Sequence, residues 1–239
     1  QDALERAEQE TGVPAEIIVA IIGVESFYGT YTGKYSVLDA LVTLGFHYPR
    51  RGSFFRKELA ELFLLAQEEK FDIARLNGSY AGAMGWGQFI PSSYRHYAVD
   101  FDKDGIRDLF NNPVDAIGSV ANYFKKNGWQ TNEDVAYPAQ VSGDKYKKAL
   151  TKSRKFSHTW AELQAMGVSQ TQTELVGDTS VKLLEFNQQT SKEYWVALKN
   201  FYVITRYNHS PLYAMVIFQF SQQLKNTFIK QNANQRDLG

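Results

Sequence analysis

The chain has 239 residues, 44% of them hydrophobic, and its 26 basic side chains balance 26 acidic ones. This length and apolar content support a buried core and exclude disorder, and the even charge balance excludes the broad positive field that nucleic acid or an anionic membrane would select. The absence of cysteine excludes disulfides, zinc–thiolate sites and thiol nucleophiles, but leaves the compartment open, because a disulfide-free protein folds in a periplasm as readily as in a cytosol.

Residues 1 to about 130 read as helical. Between Pro14 and Tyr28 the side chains Ile17, Ile18, Ala20, Ile21, Ile22 and Val24 are apolar on nearly every side, which predicts a buried helix. Ser53 is the expected N-cap of a helix whose inner side carries Phe54, Phe55, Leu59, Leu62, Phe63 and Ala66. The segment 79–88 holds Gly82, Gly85 and Gly87, a density that favours tight turns and close approach of the backbone, most simply to a ligand. Asn112 and Pro113 predict an N-cap and first helical position, and Gly128 closes that helix. Beyond Trp129 the composition shifts to short β-like runs at 135–137, 181–186, 194–198 and 202–205, with one short helix at 159–166. A last helix is predicted from Ser210-Pro211 onward.

Glu25 is the first candidate for chemistry. It shares a helical stripe with Ile18, Ile21 and Ile22, so its carboxyl is expected in apolar surroundings. Desolvation there favours the neutral acid, and a Glu moved from about 4.3 to about 6 serves as a general acid near neutral pH. The alternative is that the helix ends at this point and Glu25 faces water. The second candidate is the loop 100–115. Asp100, Asp102 and Asp104 fall at positions 1, 3 and 5 of a calcium loop, with Gly105 at the turn and Ile106 offering a carbonyl. Asn111 stands where an EF-hand carries its bidentate Glu, so Asp115 is expected to supply that carboxylate and Asp108 a water-mediated contact. An Asp-rich surface turn is the competing reading, with Asp115 serving only the helix dipole. The four histidines, His47, His96, His158 and His209, show no metal-ligand pair, and neither a serine nucleophile elbow nor a dinucleotide or phosphate loop is present, so no organic cofactor is expected.

Taken together, Val24-Glu25-Ser26 closing an apolar helix, the run from Ser79 to Gly85, Gln88 to Ser93, the loop from Asp100 to Asp115, and Arg206 to Ser210 before Tyr213-Ala-Met resemble the lytic murein transglycosylase B family of the lysozyme-like superfamily. The pieces occur in the right order and cover nearly the whole chain. The resemblance implies a mainly α (α+β) fold: a lysozyme-like helical core over residues 1–132 with an EF-hand-like loop at 100–115, a small β-containing insertion over 133–200, and a C-terminal segment, 201–239, that returns to the core. It also implies Glu25 as catalytic acid and base; Ser79, Gln88, Tyr123, Tyr207, Asn208 and Tyr213 along a saccharide groove; and a structural calcium ion held by Asp100, Asp102, Asp104, Ile106 and Asp115. Without the resemblance, Tyr123, Tyr207 and Tyr213 read more readily as core aromatics, so their assignment leans almost wholly on the family.

Most glycosidases need two carboxylates, and no second one is evident in the sequence. The resemblance therefore implies cleavage of the N-acetylmuramic acid–N-acetylglucosamine bond by one Glu, with closure of a 1,6-anhydro ring in place of hydrolysis. A lysozyme- or chitinase-like hydrolase using water, and a non-catalytic calcium-dependent glycan-binding module, are the alternatives. Peptidoglycan strands are the expected partner, cell-wall enzyme complexes a further one, and the periplasm of a Gram-negative bacterium the expected location. No run of about 18 apolar residues marks a membrane span. The chain opens at Gln1, within what should be the family's first helices, so an upstream targeting or anchoring segment is expected, and the resemblance makes a lipid-anchor signal one form of it.

Overall fold

The computed structural model describes residues 2–151, 153, 156–170 and 172–236. Its contacts divide the chain into two units, one made of residues up to Lys126 and from Phe220 onward, the other of Asn127–Gln219.

The first unit is helical. Helices α1 (Asp2–Thr11) and α2 (Ala15–Ser26) are followed by a two-residue strand β1 (Tyr35–Ser36), then α3 (Val37–His47) and α4 (Gly52–Glu69). Strand β2 (Asn77–Gly78) pairs antiparallel with β1, and α5 (Pro91–Tyr97) and α6 (Pro113–Lys126) complete the order. Helix α2 is the centre of the core: Ile17, Ile18, Ala20, Ile21 and Ile22 are all buried. Burial of each isoleucine contributes about 1.5–3 kcal/mol, so a polar residue on this helix is tolerated only in its last turn or with a partner. Asn112 caps α6 as its sequence predicts, its Oδ1 accepting the Val114 N–H at 3.0 Å.

Three expectations for this unit change. Phe63, expected on the inner side of α4, is 54% exposed, and Phe55, Leu62 and Leu65 form the buried apolar stripe of that helix. Helix α4 begins at Gly52, with Arg51 rather than Ser53 in the N-cap position and no side-chain cap. Packing sets this start: a Cβ on Gly52 would lie 2.8 Å from the Gly45 carbonyl oxygen, which also accepts from the Arg56 guanidinium at 2.6 Å. Gly82 and Gly85 of the segment 79–88 also pack against protein rather than opening the backbone to a ligand. A Cβ on Gly82 would meet the Leu41 side chain at 2.6 Å, and one on Gly85 the Leu109 carbonyl oxygen at 2.4 Å.

The second unit is a five-stranded antiparallel sheet in the order β4-β6-β7-β3-β5, with strands β3 (Ala136–Val141), β4 (His158–Thr159), β5 (Val168–Ser169), β6 (Ser180–Asn187) and β7 (Lys192–Ala197). Helix α7 (Trp160–Ala165) opens with a capping box between Thr159 and Glu162, and Trp160 and Leu163 join Tyr137, Val181, Leu183, Val196 and Leu198 in one core. Helix α8 (Lys199–Tyr207) replaces the strand expected at 202–205. The β-branched run Val203-Ile204-Thr205 favours a strand locally, but Asn200, Phe201 and Ile204 recur at helical spacing and are buried together. Asn200 seals the start of this helix, its amide donating to the carbonyls of Gln130 at 2.8 Å and Glu133 at 2.7 Å while its oxygen accepts the Gln130 N–H. Helix α9 (Pro211–Arg236) begins in this unit and from Phe220 belongs to the first. There the Lys225 ammonium lies 2.9 Å from the Glu16 carboxylate of α2.

Candidate active site

Glu25 occupies the last turn of α2 and is half-buried. The next residue, Ser26, is 1% exposed and acts as a hub: its Oγ donates to the Trp86 carbonyl at 2.8 Å and accepts the Gly29 N–H at 2.9 Å. The helix is stopped by Phe27 and Tyr28, both in the left-handed region at φ 48° and 57°, and the Phe27 N–H returns to the Gly23 carbonyl at 3.0 Å. The sequence places no glycine at these two positions, so helix extension to Tyr28 was the natural expectation. The glycine comes one step later, where Gly29 at φ +81° lies against the Trp86 ring.

Trp86 anchors this corner, its indole N–H donating to the Phe110 carbonyl at 3.1 Å and its backbone N–H to the Leu109 carbonyl at 2.8 Å. A Cβ at Gly29 would lie 2.2 Å from that indole. Gly29→Ala is therefore expected to cost about 2–4 kcal/mol, from left-handed backbone strain and overpacking together, read as a lower urea midpoint; an unchanged midpoint would show that the corner yields freely.

The segment 79–88 is tied to the same corner. Gln88, itself at φ 50°, uses both amide hydrogens on the backbone carbonyls of Thr32 (3.0 Å) and Gly85 (2.9 Å), which leaves its Oε1 as the group able to meet a ligand. Ser79 Oγ accepts the N–H groups of Ala81 at 3.2 Å and Ala83 at 3.0 Å, leaving its hydroxyl hydrogen to donate. Tyr123 of α6 is 9% exposed and its ring packs on those of Phe89 at 5.8 Å and Tyr97 at 4.6 Å. Glu25, Ser79, Gln88 and Tyr123 all belong to the helical unit. Tyr207, Asn208 and Tyr213 belong to the second unit, at the corner between α8 and α9, where Asn208 Oδ1 accepts the Ser210 N–H at 3.2 Å. Both tyrosines are half-buried.

The carboxylates of α4 have structural duties. Glu58, 4% exposed, accepts from the Ser92 N–H at 2.9 Å and the Ser92 hydroxyl at 2.8 Å, a buried cross-link that sequence reasoning missed because helical spacing marks it only as one more inward position. Glu61 and Glu68 both pair with Arg95, which holds the Glu68 carboxyl below the usual carboxylate range, and Glu69 pairs with Arg107.

In the acidic loop, carboxylate oxygens of Asp100, Asp102 and Asp115 lie within 4.8 Å of one another. Asp115 is fully buried, its two oxygens accepting the N–H groups of Phe101 at 2.6 Å and Asp108 at 2.8 Å, and burial raises its carboxyl above the ordinary range. Asp100 accepts the Gly105 N–H at 2.8 Å across the turn that Gly105 makes at φ +96°. Asp104 stands outside the three-carboxylate group, its Oδ1 accepting the Ile106 N–H at 2.9 Å, and the Ile106 side chain is exposed. Asp108 instead caps the following turn, accepting from Phe110 and Asn111. Outside the loop, the Arg6 guanidinium of α1 stacks 3.9 Å over the Phe101 ring.

The chain matches the Transglycosylase SLT domain family over residues 1–222. It belongs to that family. Among relatives, it is 49% identical over 222 residues to membrane-bound lytic murein transglycosylase B of Escherichia coli (strain K12), covering 93% of this chain and 60% of that protein, so it spans less than two thirds of the relative's length. Solved structures agree on a lysozyme-like transglycosylase fold, helix-rich with a small sheet. The soluble lytic transglycosylase SltB1 from Pseudomonas aeruginosa superposes with a TM-score of 0.90 at 51% identity, over 95% of this chain and 75% of that one. The Escherichia coli lytic transglycosylase Slt35 in complex with calcium gives 0.88 at 47%, over 95% and 71%. SltB3 from Pseudomonas aeruginosa in complex with NAG-anhNAM-pentapeptide gives 0.81 at 32%, over 93% and 60%.

Proposed function

We propose that this member of the family cleaves peptidoglycan glycan strands as a lytic transglycosylase, with Glu25 as general acid and then base. The observation that carries the reading is the placement of Glu25 in the last turn of a buried helix, fixed by the Ser26–Trp86–Gly29 hub, in a chain matched to a transglycosylase family over residues 1–222. Glu25 protonates the oxygen between N-acetylmuramic acid and N-acetylglucosamine, and that bond breaks as the substrate's acetamido group stabilises the cationic carbon. The carboxylate left behind takes the proton of the muramic acid C6 hydroxyl, which attacks C1 and closes a 1,6-anhydro ring. One carboxyl suffices because no water is activated. The complex of SltB3 with an anhydro-sugar peptide supports this product. Ser79, Gln88, Tyr123, Tyr207, Asn208 and Tyr213 are proposed to bind the glycan, with Gln88 Oε1 and the Ser79 hydroxyl offering the polar contacts. Incubation with purified sacculi tests the reading: the suspension clears if the protein is an enzyme and stays turbid if it is only a glycan-binding module.

The acidic loop is proposed to hold a structural calcium ion. Its donors are hard oxygens, and a spread of 4.8 Å fits opposite ligands at about 2.4 Å from one ion. Asp100, Asp102 and Asp115 would hold the metal directly, Ile106 through its carbonyl, and Asp104 from the edge of the set; the bound ion would supply charge neutralisation to the buried Asp115. The calcium complex of Slt35 supports the choice of metal.

No helix among the described residues is long and apolar enough to cross a membrane. Given the substrate, the protein is proposed to act in the periplasm of a Gram-negative bacterium, with the membrane-bound relative supporting attachment at the envelope, and other cell-wall enzymes are proposed as further partners.

A further inference from the structure

Immediately after Glu25 the chain displays aromatic rings that the core does not take up. Phe27 is 60% exposed and Tyr31 71%, and their ring centroids lie 6.0 Å apart, with the Tyr28 ring 5.9 Å from that of Phe27. The display is stiff. Phe27 and Tyr28 are held at positive φ, a conformation that non-glycine residues keep only where the surroundings enforce it. Here the Tyr31 N–H donates to the Ser26 carbonyl at 2.8 Å, the Thr30 N–H to the Phe27 carbonyl at 3.2 Å, and Tyr28 packs its ring over Gly23. The segment 27–31 is thereby folded back onto Ser26, the neighbour of the acid.

A rigid pair of exposed rings, one with a polar rim, matches the apolar face and hydroxyl edge of a pyranose and loses little entropy on binding it. Two or three rings are also far too small a patch for a stable protein interface, which takes about 800 Å² from each partner. We infer that Phe27 and Tyr31 form a stacking platform for a sugar ring of the glycan strand, an outer binding position that orients the strand for Glu25, with Tyr28 as its brace. The inference rests on the proposed cleavage of peptidoglycan by this site.

The test uses glycan strands freed of their stem peptides and sorted by length, with kcat and KM measured for the unaltered protein and for Phe27→Ala, Tyr31→Ala, Tyr31→Leu and Tyr31→Trp. On long strands KM is expected to rise about tenfold in both Ala variants and in Tyr31→Leu, with kcat within about twofold and Tyr31→Trp close to the unaltered protein, because lost stacking is lost uniform binding. Because Tyr31 is mostly exposed, its variants should melt with the unaltered protein, so a KM change there is not a folding defect. Unchanged KM in every variant of a protein that cuts normally, or full rescue by Leu, overturns the platform alone. An unaltered protein that cuts no strand of any length overturns the glycan reading and the platform with it.

Discussion

Glu25→Gln is expected to slow the clearing of sacculi by at least about a hundredfold, the lower range for loss of a general acid, and by more if the same group also acts as the base. Gln keeps the shape of the side chain and loses the titrating proton, so the effect falls on chemistry. The hub that fixes this turn runs through the Ser26 hydroxyl, the Gly29 N–H and the Trp86 carbonyl. The melting temperature should accordingly stay within about 2 °C, while glycan binding is retained. A Gln variant that clears sacculi at an undiminished rate removes Glu25 from the mechanism; one that unfolds shows instead that the carboxyl is a structural member of the turn.

Calcium is expected to raise the melting temperature by roughly 5–10 °C at a concentration a hundred times its dissociation constant, and a chelator to reverse the gain, since a ligand that binds only the folded state stabilises it by about 2.7 kcal/mol there. The buried Asp115 gives this effect a pH dependence of known sign. Its folded-state carboxyl is raised by burial, so without metal the group subtracts stability above its folded titration range, and this penalty is relieved as pH falls through that range. Metal binding needs the deprotonated ligands and weakens over the same interval. The gap between the calcium and chelator melting curves should therefore narrow on acidification. Coincident curves at neutral pH would show that the loop is an Asp-rich turn closed by its own N–H bonds.

Much of the fold was legible because burial leaves a period in the sequence. Ile17 to Ile22 read as a core helix and form one; Asn112 before Pro113 reads as a helix start and caps α6, and the short helix read at 159–166 is α7, with Thr159 as its cap. Helix α8 was misread because Val203, Ile204 and Thr205 carry strand propensity, whereas the register of Asn200 and Phe201 against the loop before β3 decides their state. Gly82 and Gly85 announced close approach but not to what, and Leu41 and Leu109 turn out to be the neighbours. The site shows the same limit. Glu25 stands out by ending an apolar stripe, but the left-handed corner at Phe27 and Tyr28 has no glycine to signal it, and the role of Ser26 depends on Trp86, sixty residues away along the chain. Nor does sequence spacing show that Asp115, rather than Asp104, shares the compact carboxylate group with Asp100 and Asp102.

The central claim, cleavage by a single carboxyl without water, is tested most directly by the masses of the soluble fragments released from sacculi. Ring closure gives muramic acid ends that are lighter by one water and inert to borohydride. Fragments ending predominantly in 1,6-anhydromuramic acid are the predicted result; reducing muramic acid ends as the main product would contradict the account and make the protein a hydrolase.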